Sequence, residues 1–167
     1  MASTTDQGDW TQERPALFRG IAATIDTDFA VHPADVHALG GEFDQTFAAT
    51  TASGCRYVVK VYRAEDLDGV RWQHRLLDRL AGSVPVAAVC RTRTGDDVAR
   101  LADGRYLGLY SWIDGTLLAE LPSHSRDLLA DWGATAARIV MVLDGAHTIG
   151  TVPPTHTWDL LAAPHAL

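Results

Sequence analysis

The run Tyr57-Val58-Val59-Lys60-Val61-Tyr62 reads as a strand by its β-branched and aromatic content, yet it carries an ammonium group near its centre. Along an alternating strand Val58, Lys60 and Tyr62 share one face, while Tyr57, Val59 and Val61 share the other. A cation among strand valines is costly to bury without an anionic partner. It is therefore either an edge lysine whose head snorkels to water or an inward lysine that holds a bound anion. The paired glycines Gly40-Gly41 stand upstream, and a glycine turn lets backbone N–H groups approach phosphate oxygens closely. Turn, spacer and lysine together favour the inward reading, with a polyphosphate as the anion.

A length of 167 residues with 47% hydrophobic content suits one domain with a real core and is short for two. The net charge of −7 argues against a nucleic-acid or anionic-membrane partner, because phosphate backbones are bound by clustered basic side chains. Arg91, Arg93, Arg100 and Arg105 are interleaved with Asp96, Asp97 and Asp103, which reads as a solvated hairpin. Cys55 and Cys90, both flanked by strand-like sequence, suggest neither a disulfide framework nor a metal site. His147, His156 and His165 lack the short spacing that zinc sites use. No apolar run approaches the roughly 20 residues of a membrane span, and the polar, acidic start does not resemble a secretory signal. A soluble, cytoplasmic protein is expected.

Residues 1–12 read as a disordered tail. Ala16, Leu17, Ile21 and Ile25 recur at helical spacing and predict a helix over 13–25, with Pro15 in its first turn. Three strands are expected at 36–39, 46–50 and 57–62, the last two joined by a Ser53-Gly54 turn. An amphipathic helix over 66–81 follows, with Val70, Gln73, Leu77 and Leu80 on the face expected to lie on the sheet. Two more strands are expected at 84–92 and 105–113, linked by a hairpin around Thr94-Gly95-Asp96-Asp97. Beyond Asp114-Gly115 the pattern becomes helical, first over 116–121 and then, capped by Ser123 or Ser125, over a longer stretch to Leu143. Residues from Gly145 onward read as irregular.

The segment Gly41-Glu42-Phe43-Asp44-Gln45-Thr46-Phe47, a short spacer, then Gly54 and Tyr57-Val58-Val59-Lys60-Val61 resembles the first hairpin of the aminoglycoside phosphotransferase family, which has a protein-kinase-like fold. Within it the run is similar to the branch of hydroxylysine kinases and phosphotransferase domains fused to class III aminotransferases. Thr46 stands where that branch usually has asparagine. Trp72 to Leu80, Val84-Pro85, Tyr106 to Gly115 and Trp158-Asp159-Leu160 resemble later segments, so the likeness spans roughly residues 13–161. The implied fold class is α+β: a kinase-like N-lobe with a five-stranded antiparallel sheet and one packed helix over 13–115, then the first helices of an incomplete helical C-lobe over 116–167.

By the same resemblance, Lys60 would hold the α- and β-phosphates of ATP, and Gly41, Glu42, Phe43, Asp44 and Gln45 would cover them. Val58 would pack on the purine, and the backbone of Tyr110, Ser111 and Trp112 would meet the adenine edge. Gln73 falls where kinase-like folds place a glutamate partner for the lysine, and it would serve that lysine less well or simply bond local backbone. The family's His-x-Asp-x-x-x-x-Asn loop is not found, because the chain contains no asparagine. No catalytic residue and no Mg²⁺ ligand is identified, although the complete family member is expected to use Mg²⁺. The expected function is the ATP-binding portion of a small-molecule hydroxyl kinase for an amino acid, amino alcohol or aminoglycoside, truncated before the catalytic loop and inactive alone. The alternative is a nucleotide-binding pseudokinase or regulatory module. Its expected partner is a complementary C-lobe chain, or a second copy through the 123–143 helix.

Overall fold

The computed structural model describes residues 10–39 and 45–144. The chain divides into two compact units, one formed by Met1–Ala64 with Val89–Ile113 and the other by Glu65–Ala88 with Asp114–Leu167. The first unit contains α1 (Trp10–Phe29) and five strands: β1 (Pro33–Ala38), β2 (Gln45–Thr51), β3 (Arg56–Tyr62), β4 (Ala99–Arg100) and β5 (Tyr106–Ser111). All pairings are antiparallel and the sheet order is β1-β2-β3-β5-β4. This is the α+β architecture with the five-stranded sheet that the sequence implies.

One face of the sheet forms the core because strand alternation directs its apolar side chains there. Phe47 and Ala49 of β2, Val59 and Val61 of β3, and Leu107 and Leu109 of β5 are all buried with Ile21, Ile25 and Phe29 of α1. Phe18 meets Phe47 edge to face, with ring centroids 5.6 Å apart. The helix packed on this face is therefore α1, which is longer at both ends than the apolar spacing predicts and contains Pro15 within it. It stops where Ala30 takes a left-handed conformation at φ 58°. No basic residue of α1 stands in its last turn. Arg93 supplies that charge from the distant hairpin: its backbone N–H donates to the Asp28 carbonyl at 2.7 Å and its guanidinium to the Asp26 carbonyl at 3.3 Å.

The strand expected over 84–92 does not form. Pro85 lacks a ladder donor, and in the second half of the segment Val89 is bridged to Tyr110 and the Cys90 N–H donates to the Leu109 carbonyl at 2.8 Å. Farther along the same edge of β5, Ala99 and Arg100 pair with Leu107 and Tyr106. Two short pieces thus share an edge that one long strand was expected to cover. The intervening hairpin is closed by Thr92 and Asp96, with Gly95 at φ 88°. Its arginines are only partly the solvated set expected. Arg91 pairs with Asp97 at 3.9 Å, but Arg93 caps α1 and Arg105 reaches β2.

In the second unit, α2 (Leu67–Leu80) and α3 (Arg126–Leu143) pack on each other, and Arg79 Nε donates to the Val142 carbonyl at 2.8 Å. The expected helix over 116–121 is a single 3₁₀ turn, Leu118–Glu120. Ser125 is the cap of α3, its hydroxyl accepting from the Leu128 N–H at 3.1 Å. On α2 the buried positions are Val70, His74 and Leu80, whereas Gln73 is exposed. His74, one residue along, takes the inward place that the apolar pattern assigned to Gln73. No side chain of α3 is fully buried, and Trp132, Val140 and Met141 are more than half exposed. Among the described residues no helix is long and apolar enough to cross a membrane.

Leu109 lies in β5 and has no exposed surface. Leu109→Ala should cost about 2–5 kcal/mol of unfolding free energy in a denaturant titration. A loss of only a few tenths would mean that this face is not the core.

Candidate functional site

Lys60 occupies the middle of β3, with Thr46 of β2 and Gly108 of β5 directly opposite it on the two flanking strands. Cross-strand partners share a face, so Thr46, Ala48, Val58, Lys60, Tyr62, Gly108 and Tyr110 lie on the side opposite the α1-packed core. Lys60 is half-buried on an interior strand. The edge-strand reading is therefore excluded. It is also the only lysine in the chain.

Glycine at position 108 has a steric cause. A Cβ there would lie 2.8 Å from the Tyr110 hydroxyl and 3.1 Å from its Cε2, because the Tyr110 ring leans along β5 over the glycine. The Tyr110 hydroxyl meets that of Tyr62 at 2.6 Å, and both tyrosines are buried. The ring covers the glycine opposite Lys60. The sequence reading used only the backbone of Tyr110 and missed this arrangement. The Gly-x-Tyr spacing within an alternating strand was the available signal, since it places the glycine and the ring on one face.

The turn expected to cover a phosphate chain joins β1 to β2. Gly41, Glu42, Phe43 and Asp44 lie outside the described residues. Its base is defined: the Leu39 N–H donates to the Thr46 carbonyl at 2.9 Å, and Ala38 pairs with Phe47. The end of the β1–β2 pairing and the lysine are therefore on adjacent strands, in register at Thr46. Gln45, the first residue of β2, points its amide oxygen elsewhere, accepting from Arg105 Nη1 at 2.8 Å.

Arg105 is itself held by Asp103. Its Nε and Nη2 donate to Asp103 Oδ2 at 3.0 and 2.6 Å, and its backbone N–H donates to Oδ1 at 3.0 Å. The guanidinium beside Asp103 holds that carboxyl below its ordinary range, against a smaller opposing effect of burial. Neither residue was singled out for this role by the sequence, where both read as hairpin surface.

The strand-end residues are placed as follows. Tyr110 pairs with Val58 and Ser111 with Tyr57, so both belong to the ladder. Trp112 follows the last residue of β5, and the Arg56 guanidinium lies 4.5 Å from the centroid of its ring. Gln73 stands exposed on α2, in the other unit. Among the described residues no group of three or more His, Cys, Asp or Glu side chains comes together as a metal site would require.

Gly108→Ala should destabilise the protein by roughly 1–3 kcal/mol, because Tyr110 must swing away from Tyr62 to admit the methyl group. The same change in a Tyr110→Ala background should cost almost nothing; an equal cost in both would show that the ring is not what the methyl meets. The Asp103 carboxyl has a lowered folded-state pKa, so its contribution is complete above the unfolded value of about 4 and is lost as pH falls below that through the folded value. The stability difference between wild type and Asp103→Asn should therefore be constant from neutral pH to about 5 and shrink only in stronger acid, as read by denaturant titrations at each pH.

The sequence model of the Phosphotransferase enzyme family (APH) matches residues 35–163. Among curated proteins no significant match was found. Three solved structures are similar in fold. Amicoumacin kinase hAmiN, in complex with AMP-PNP, Ca2+ and Ami, is 19% identical with a TM-score of 0.53, over 79% of this chain and 42% of that one. Spectinomycin phosphotransferase APH(9)-Ia, in complex with ADP and spectinomycin, is 11% identical with a TM-score of 0.55, over 89% and 51%. APH(2")-IIia, in complex with GDP and kanamycin, is 20% identical with a TM-score of 0.52, over 75% and 44%. The chain thus spans about half the length of these proteins or less. With the family pattern running from β1 past α3 and the lysine strand at the centre of a kinase-like sheet, this chain belongs to the phosphotransferase enzyme family.

Proposed function

We propose that this chain is the nucleotide-binding portion of a small-molecule phosphotransferase, with ATP as the nucleotide and a hydroxyl of an amino acid, amino alcohol or aminoglycoside as the phosphoryl acceptor. The observation that carries the proposal is the position of Lys60: a half-buried ammonium on an interior strand, opposite glycine on one side and, on the other, Thr46, whose carbonyl accepts from Leu39 at the end of the β1–β2 pairing. An ammonium so placed can donate charge-assisted hydrogen bonds to phosphate oxygens. The family membership and the nucleotides bound in the three fold relatives support the same reading.

Lys60 would pair with the α- and β-phosphate oxygens, and Gly41, Glu42, Phe43 and Asp44 would offer backbone N–H groups to the phosphate chain. Val58, on the lysine face, would contribute apolar surface to the purine, and the chain at Tyr110, Ser111 and Trp112 would run past its edge. The nucleotide supplies the phosphoryl group; these residues bind and orient it. By motif, residues 41–61 resemble the branch of hydroxylysine kinases and phosphotransferase domains fused to class III aminotransferases.

A second reading, a nucleotide-binding module that works with another chain, is favoured by the exposed Leu129, Trp132, Val140 and Met141 of α3. On either reading nucleotide binding comes first. Titration with ATP, with and without Mg²⁺, should give a saturable change in tryptophan fluorescence, and Lys60→Met should weaken it by roughly tenfold or more. A flat wild-type response would overturn both. ADP release with hydroxyl acceptors then separates them, since turnover by the chain alone supports the enzyme and binding without turnover supports the module.

A further inference from the structure

We infer that Arg105, locked by Asp103, is a positioning residue for nucleotide binding and acts through the side chain of Gln45. This rests on the nucleotide reading above. Strand alternation sends Gln45 to the face opposite Lys60, while Thr46, its neighbour, faces the lysine directly. Gln45 and Leu107 both pair with Val61, one from each side, so β3 runs between β2 and β5. The Arg105–Gln45 hydrogen bond therefore joins the start of β5 to the first residue of β2, the two strands that flank the lysine strand. It is a clamp across β3.

The clamp is rigid on the β5 side. Asp103 fixes the guanidinium through two of its nitrogens and also takes the backbone N–H of Arg105, and the turn is closed by the Leu101 N–H donating to the Arg105 carbonyl at 2.8 Å. Arginine can only donate, so the partner atom on Gln45 must be its amide oxygen. That bond makes Gln45 a tether for the first residue of β2. A tethered strand end keeps Thr46 opposite Lys60 before ligand arrives. Without the tether, ordering that end becomes part of the cost of binding.

The test is ATP affinity by fluorescence titration for wild type, Arg105→Ala, Gln45→Ala, the double variant and Gln45→Glu, with a denaturation curve for each. Arg105→Ala and Gln45→Ala should each weaken ATP binding by roughly tenfold, and the double variant should be no worse than either single. Gln45→Glu separates tether from contact. A carboxylate still accepts from Arg105, so affinity should stay within roughly twofold of wild type, whereas a residue touching phosphate would repel it. Additive losses, or a Gln45→Glu variant as weak as Gln45→Ala, would overturn the inference while leaving the nucleotide reading intact. If wild type binds ATP and all four variants match it, the clamp has no role in binding. If wild type itself gives no response, the nucleotide reading fails and takes this inference with it.

Discussion

The register between β2, β3 and β5 is the constraint from which the rest follows. It places Thr46, Lys60 and Gly108 in one row and makes the choice of face at every other position automatic. A slip of one residue would send the ammonium into the apolar Val59, Val61, Leu107 and Leu109 layer, where α1 packs. The cost of that error protects the correct pairing. The cation thus acts as a specificity device for the sheet as well as a candidate ligand group.

The first unit secures this register from outside the ladder. Arg93 ties the hairpin to the end of α1, and Arg105 ties the next turn to the start of β2. Both contacts bring together segments far apart in sequence, and both use an arginine whose guanidinium or backbone satisfies oxygen acceptors at the end of an element. The two short pieces on the outer edge of β5, at Val89–Cys90 and Ala99–Arg100, have few ladder bonds of their own.

Much of this was legible in the residues. The strands β2 and β3 were visible because aromatic, β-branched and small apolar residues run between turn residues, with Ser53-Gly54 joining the two. β5 was visible for the same reason, and Ser125 marked the start of α3 as a side-chain acceptor should. The misplaced strand over 84–92 shows the limit: an apolar run has strand composition whether or not an edge is available to it, and here most of that edge belongs to a two-residue strand too short to carry a pattern. Gln73 failed differently. Positions 70, 73, 77 and 80 and positions 70, 74, 77 and 80 fit one helical face almost equally well, and a histidine in the inward place carries no hydrophobic signal. The clamp was invisible because Asp103 and Arg105 are ordinary surface residues until the fold brings Gln45 to them.

Lys60 is alone of its kind, since every other basic side chain apart from the histidines is an arginine. A guanidinium stays protonated and is a poor nucleophile, whereas an ε-amine can be acylated or carbamylated. The chain's side-chain amine chemistry is therefore concentrated at one atom, in the middle of an interior strand. Any reagent that captures it reports on that strand alone, and whatever shields the atom from acylation is, by the same geometry, lying against the face opposite α1.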